Sequence, residues 1–95
     1  MPDPLSEWLK KLKQLLCRLY ELWGGDCDKL GITAHDWVMT VDGEYPPAPG
    51  TQDPDLLDDL EAHLADDQNN ELSATDHQTL DTLIANIRGD WGVGP

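Results

Sequence analysis

The chain contains no phenylalanine and little positive charge: six Lys and Arg stand against nineteen Asp and Glu, a formal net charge of −13. A field of that sign repels nucleic acid and anionic membrane surfaces and attracts basic ones. No run of eighteen apolar residues occurs, so nothing is expected to span a membrane. The opening residues lack a basic start followed by an unbroken apolar core, which argues against a signal peptide and makes the cytoplasm the expected location. Two cysteines, Cys17 and Cys27, fit a reduced cytosolic protein at least as well as a single disulfide. With His35 they lack the spacing of a zinc site, and no C-x-x-C is present. Phosphate loops and the G-x-S-x-G elbow are absent. Ninety-five residues also leave little room for a small-molecule pocket. Neither an enzyme nor a cofactor is expected.

What is present begins with PLSEWLKKLKQLLCRLYELW, residues 4–23. Written as heptads with Leu5 at a, the a positions are Leu5, Leu12 and Leu19. The d positions are Trp8, Leu15 and Leu22, and the e positions Leu9, Leu16 and Trp23. That is a continuous apolar stripe at helical spacing, predicting either the core face of a helix or a seam between two copies. Asp3 is the expected N-cap, Pro4 the first helical residue, and Gly24-Gly25 the stop. This segment is also the least acidic. Residues 1–24 hold four basic residues against three acidic ones, whereas residues 25–95 hold only Lys29 and Arg88 against sixteen.

Thr33-Ala34-His35-Asp36 has the form of a capping box, and Ala34, Trp37, Val38 and Val41 follow at helical spacing. The same stretch is rich in β-formers. Glu44-Tyr45, however, runs into Pro46-Pro47, leaving no partner strand, so a short helix is the better reading. Residues 44–52 form a Pro-rich loop, since consecutive prolines forbid a helix. Asp53-Pro54 opens a helix to about Asp66 with Leu56, Leu57, Leu60 and Leu64 as its buried stripe. After a turn at 66–70, Ser73-Ala74-Thr75-Asp76 caps a helix to about Arg88, with Leu80, Leu83, Ile84 and Ile87 facing inward and Gly89 as its end. Residues 89–95 form a Gly-rich tail whose Trp91 suits an interface, while Trp37 suits the core. The expected fold is all-α: a small helical bundle of three main helices plus a short fourth, as one domain. In it the first helix lays its apolar face into the groove of the acidic hairpin 53–88.

Function must then be sought in the acid. Self-repulsion destabilises a small folded chain, so so large an imbalance calls for a reason beyond solubility. Duplex DNA carries one negative charge per ~1.7 Å of axis, and carboxylates on rigid helices can approximate that density. Asp53, Asp55, Asp58, Asp59, Glu61, Asp66, Asp67, Glu71, Asp76 and Asp81 are the candidate partner-binding residues. The expected partner is a basic protein or nucleoprotein surface, without direct contact to nucleic acid or membrane. In size and charge the chain is similar to the small acidic inhibitors that phages and mobile elements direct against nucleic-acid-handling defence machinery, the anti-restriction and anti-CRISPR proteins. The alternative is a homo-oligomeric adaptor, such as a homodimer, using Leu5, Trp8, Leu12, Leu15, Leu19 and Leu22 as its seam. Asp59/His63 and His77/Asp81, each spaced i, i+4, read as polar pairs on helix surfaces rather than metal ligands.

Overall fold

The computed structural model describes residues 6–43 and 52–92. Among them lie four α-helices: α1 (Glu7–Glu21), α2 (Ala34–Gly43), α3 (Pro54–Ala65) and α4 (Ala74–Trp91). A 3-10 turn at Cys27–Lys29 stands between α1 and α2. The described residues include no strand, so the fold is all-α and 34–43 is helical. The Pro-rich segment 44–51 and Leu5 lie outside the described residues.

Local chemistry explains the starts. Thr33 Oγ1 accepts from the Asp36 amide, Asp53 from Leu56, and Ser73 Oγ from Asp76. Each satisfies an amide that a helix N-terminus leaves without a partner. The first helix departs from expectation. Its cap is Ser6, which is extended and accepts from Leu9, so the helix starts at Glu7 and not at Pro4. Asp3 and Pro4, expected as cap and first helical residue, lie outside the described residues; a serine one residue before a good helix former supplies the capping oxygen. At the other end Leu22 is the C-cap and Gly24 turns the chain at φ +79°. Trp23 thus lies just beyond the helix.

α4 also differs. Gly89 does not end it: the helix runs on to Trp91 and stops at Gly92, which has φ +70°. Glycine inside a helix costs only about 1 kcal/mol. Continuing by one turn puts Trp91 on the stripe of Leu80, Leu83, Ile84 and Ile87, where it is buried. The interface role expected for Trp91 is corrected accordingly: burial of so large an apolar surface outweighs the glycine.

The core gathers Leu12, Leu15, Leu16 and Leu19 of α1, Trp37, Val38 and Val41 of α2, and both predicted leucine and isoleucine stripes of α3 and α4. Tyr20, Leu30 and Leu72 join them, none of which the helical periodicity singles out. Trp8, Leu9, Leu22 and Trp23 pack against this core partly buried. The described part of the α1 stripe is thus used within the chain itself.

The principal packing runs α1 on α2, α2 on α4, α4 on α3 and α3 on α1. Helix α1 therefore does not sit in an α3–α4 groove as expected; α2 supplies the contact surface that α4 was expected to offer it. Two ties fix two of these junctions, α1–α3 and α2–α4, and a third joins α1 to the 3-10 turn. The Trp8 indole donates to the His63 carbonyl (3.0 Å) while His63 Nε2–H donates to the Trp8 carbonyl (2.8 Å), and the two rings stack with centroids 4.5 Å apart. On α2, His35 Nδ1 meets Asp76 Oδ1 of α4 at 2.8 Å. A disulfide joins Cys17 to Cys27, tying α1 to the 3-10 turn. On a chain-entropy view, a loop of this length is worth roughly 3 kcal/mol.

Candidate functional site

Because α3 buries Leu56, Leu57, Leu60 and Leu64, its 3.6-residue period turns the intervening acids outward. Asp55, Asp58, Asp59, Glu61 and Asp66 are all exposed. Asp81 is exposed on α4 and, with Glu61 and His77, lines the shallow groove between the two helices. These six are the exposed ones among the candidate carboxylates; Glu7, Glu21, Asp26, Asp28, Asp36, Asp42 and Asp90 are exposed elsewhere on the described residues. The rest of the exposed face of α4 carries Asp90 but is otherwise mostly uncharged, with Thr75, Gln78, Thr82, Ala85 and Asn86. Of the six, five stand on α3 or at its C-cap.

One cation stands among them. Arg88 reaches from α4 to α3, where Nε donates to Glu61 (3.0 Å) and Nη2 to Asp58 (2.6 Å). Those hydrogen bonds hold the guanidinium pKa above its usual range, so the group stays charged throughout. Arg88 is the lone Lys or Arg of the acidic segment 53–88, which is the one signal in the sequence of its role as a counter-ion there. Asp55, Asp59 and Asp66 lie outside this cluster. Asp59 and Asp66, with Lys11, Ala62 and His63, line an open recess of roughly 530 Å3 between α1 and α3.

The other candidates serve the fold. Asp53 caps α3 and meets Arg18 of α1 at 3.3 Å. Asp67 has a side chain only 3% exposed. It accepts from the amides of Glu71 (2.9 Å) and Leu72 (3.1 Å), and His77 Nε2 lies 3.4 Å away. Burial alone would raise the Asp67 pKa; the two amide hydrogen bonds and His77 outweigh it and hold the carboxyl below its ordinary range. Asp76, the buried charged residue among those described, turns its carboxylate to His35. Glu71 is half-buried.

The histidines expected as polar pairs have other partners: His63 is engaged by Trp8 and His77 by Asp67. Among the described residues one group of three potential metal ligands converges, Cys17, Glu21 and Cys27, whose cysteines are bonded to each other. Large apolar side chains exposed in the described part, Ile32 and Met39, stand singly, as is ordinary for a folded surface. No described helix is long and apolar enough to cross a membrane. In comparisons with known proteins, the chain matches no family model, no curated protein and no solved structure.

Proposed function

We propose that this is a non-enzymatic binding protein of the cytoplasm, whose acidic face on α3 occupies a basic surface on a protein or nucleoprotein complex. The mechanism is competition: carboxylates held on a rigid helix pair with lysines and arginines that otherwise hold phosphate. An inhibitor of the kind phages and mobile elements encode fits this description by size and charge. The observation that carries the reading is the exposed row of Asp55 and Asp59 on α3 and Asp66 at its C-cap, i, i+4 and i+11, with Asp58, Glu61 and Asp81 exposed as well. A short helix capped at Asp53 and anchored by four leucines presents that row without further ordering, so little conformational entropy is lost on binding.

The geometry selects the test. Asp58 and Glu61 share Arg88, so their reversal also disturbs the α3–α4 contact; Asp55, Asp59 and Asp66 are the cleaner choice. Proteins captured by the wild-type chain from a lysate at low salt should be basic and nucleic-acid-binding, and should be released as ionic strength rises. The triple variant Asp55→Lys, Asp59→Lys, Asp66→Lys should lose them while its helical circular dichroism stays unchanged. Capture that is indifferent to salt and to the triple reversal would refute the proposal.

A further inference from the structure

The two cysteines stand apart from the acidic face and have a chemistry of their own. Glu21 follows Cys17 by one helical turn, so its carboxylate shares that side of α1. The reversal at Gly24 then returns the chain, and the 3-10 turn begins with Cys27 beside them. One donor atom from each of Cys17, Glu21 and Cys27 falls within 4.8 Å of the other two, and Cys17 Sγ lies 3.7 Å from Glu21 Oε1. Two ligand atoms on one tetrahedral zinc ion are about 3.5–3.8 Å apart, given Zn–S near 2.3 Å and Zn–O near 2.1 Å. The sulfur–carboxylate spacing already has that value.

We propose that Cys17, Cys27 and Glu21 form a redox-gated site for a thiophilic divalent cation of the zinc class. It is closed while the disulfide stands and open once the disulfide is reduced. The steps balance. A dithiol, or two molecules of a glutathione-type monothiol, passes two electrons and two protons to the Cys17–Cys27 bond and leaves as its own disulfide. The chain gains two thiols. The dication then displaces both thiol protons to solvent and is held by two thiolates and the Glu21 carboxylate, with water completing the tetrahedron. Two thiolates, one carboxylate and a dication sum to a single negative charge.

Soft sulfur donors make this a site for zinc rather than calcium or magnesium, which take oxygen. The recess beside the cysteines, roughly 310 Å3, is also lined by Lys10, Lys13 and Gln14, so access is from solvent. The two ammonium groups oppose a cation there only weakly: Lys10 is 3.6 Å from Glu7, and Lys13 lies over the Trp37 ring, 5.4 Å from its centroid. Sequence spacing alone hides the site. No C-x-x-C marks it, and the third ligand emerges only when Glu21 is counted one turn after Cys17.

The test uses the full chain, oxidised and after reduction with a phosphine that is then removed, titrated with Zn2+ against a chromogenic chelator. The reduced chain should bind one zinc per molecule, at least ~100-fold more tightly than the oxidised chain. Glu21→Ala should weaken the reduced chain by ~10-fold or more. Co2+ in place of zinc should give thiolate-to-metal charge-transfer absorption that Cys17→Ser removes, and bound zinc should shield both thiols from alkylation. Circular dichroism keeps the outcome decisive: the reduced chain must retain its helices. Equal affinity in the two redox states, no thiolate band, no effect of Glu21→Ala, or loss of the helices on reduction would each overturn the site.

Discussion

Two small residues carry more of the structure than their size suggests. A Cβ on Gly31 would stand 2.2 Å from Asp36 Cβ, and the Gly31 carbonyl accepts from the buried Trp37 indole. Cβ atoms are fixed to the backbone, so Gly31→Ala forces the loop away from α2. We expect a loss of about 1–3 kcal/mol in urea unfolding. Asp67 works by hydrogen bonding. An asparagine there turns a donor toward amides that need acceptors, so Asp67→Asn should cost about 1–3 kcal/mol at neutral pH. The folded-state pKa of Asp67 lies below its usual value of 3.8. Its contribution is therefore complete above that value and is lost as pH falls through the lower folded one. Acid titration of both proteins should show the stability gap narrowing below about pH 4. A gap that is constant down to the acid transition would contradict this role.

At the level of the element, most of what forms each helix was legible in the chain. The caps Thr33, Asp53 and Ser73 and the stripes of α3 and α4 depend on neighbours within one or two turns, which sequence spacing reports directly. What was illegible depends on distant partners. Asp76 reads as an ordinary first-turn acid until His35, forty-one positions earlier, is packed beside it. Asp67 reads as one of a row of surface acids until the loop closes over it. The acidic excess was legible as composition, but which carboxylates Arg88 engages was not, because that depends on how α4 packs against α3. Gly89 has the character of a stop because glycine often ends helices, yet Trp91 carries the helix past it. That gives a test. Gly89 is exposed within α4 and nothing lies within 4 Å of an added Cβ, so Gly89→Ala should stabilise the chain by about 0.5–1 kcal/mol. Destabilisation would mean that α4 ends before position 89.

For the molecule as a whole, like-charge repulsion works against the compact state. The formal charge of −13 on ninety-five residues is offset locally by few contacts, and exposed pairs such as Arg88 with Asp58 and Glu61 add little net stability. Screening should therefore help. The Debye length falls from ~30 Å at 0.01 M to ~8 Å at 0.15 M salt. Each kcal/mol of relieved repulsion raises the melting temperature of a domain this size by ~4–8 °C. The melting temperature should climb across that range in sodium chloride, and a flat or falling curve would show that the repulsion is already balanced.

Helix α1 is fastened at both extremities: by the Trp8–His63 clasp at its start and by the Cys17–Cys27 bridge near its finish. Fraying, the usual first motion of a helix, is thereby blocked from either side. Deuterium uptake at the amides of Leu15, Leu16 and Leu19 should accordingly proceed only when the entire chain unfolds. The twelve residues of α3, the element that presents the acidic row, should exchange through smaller excursions.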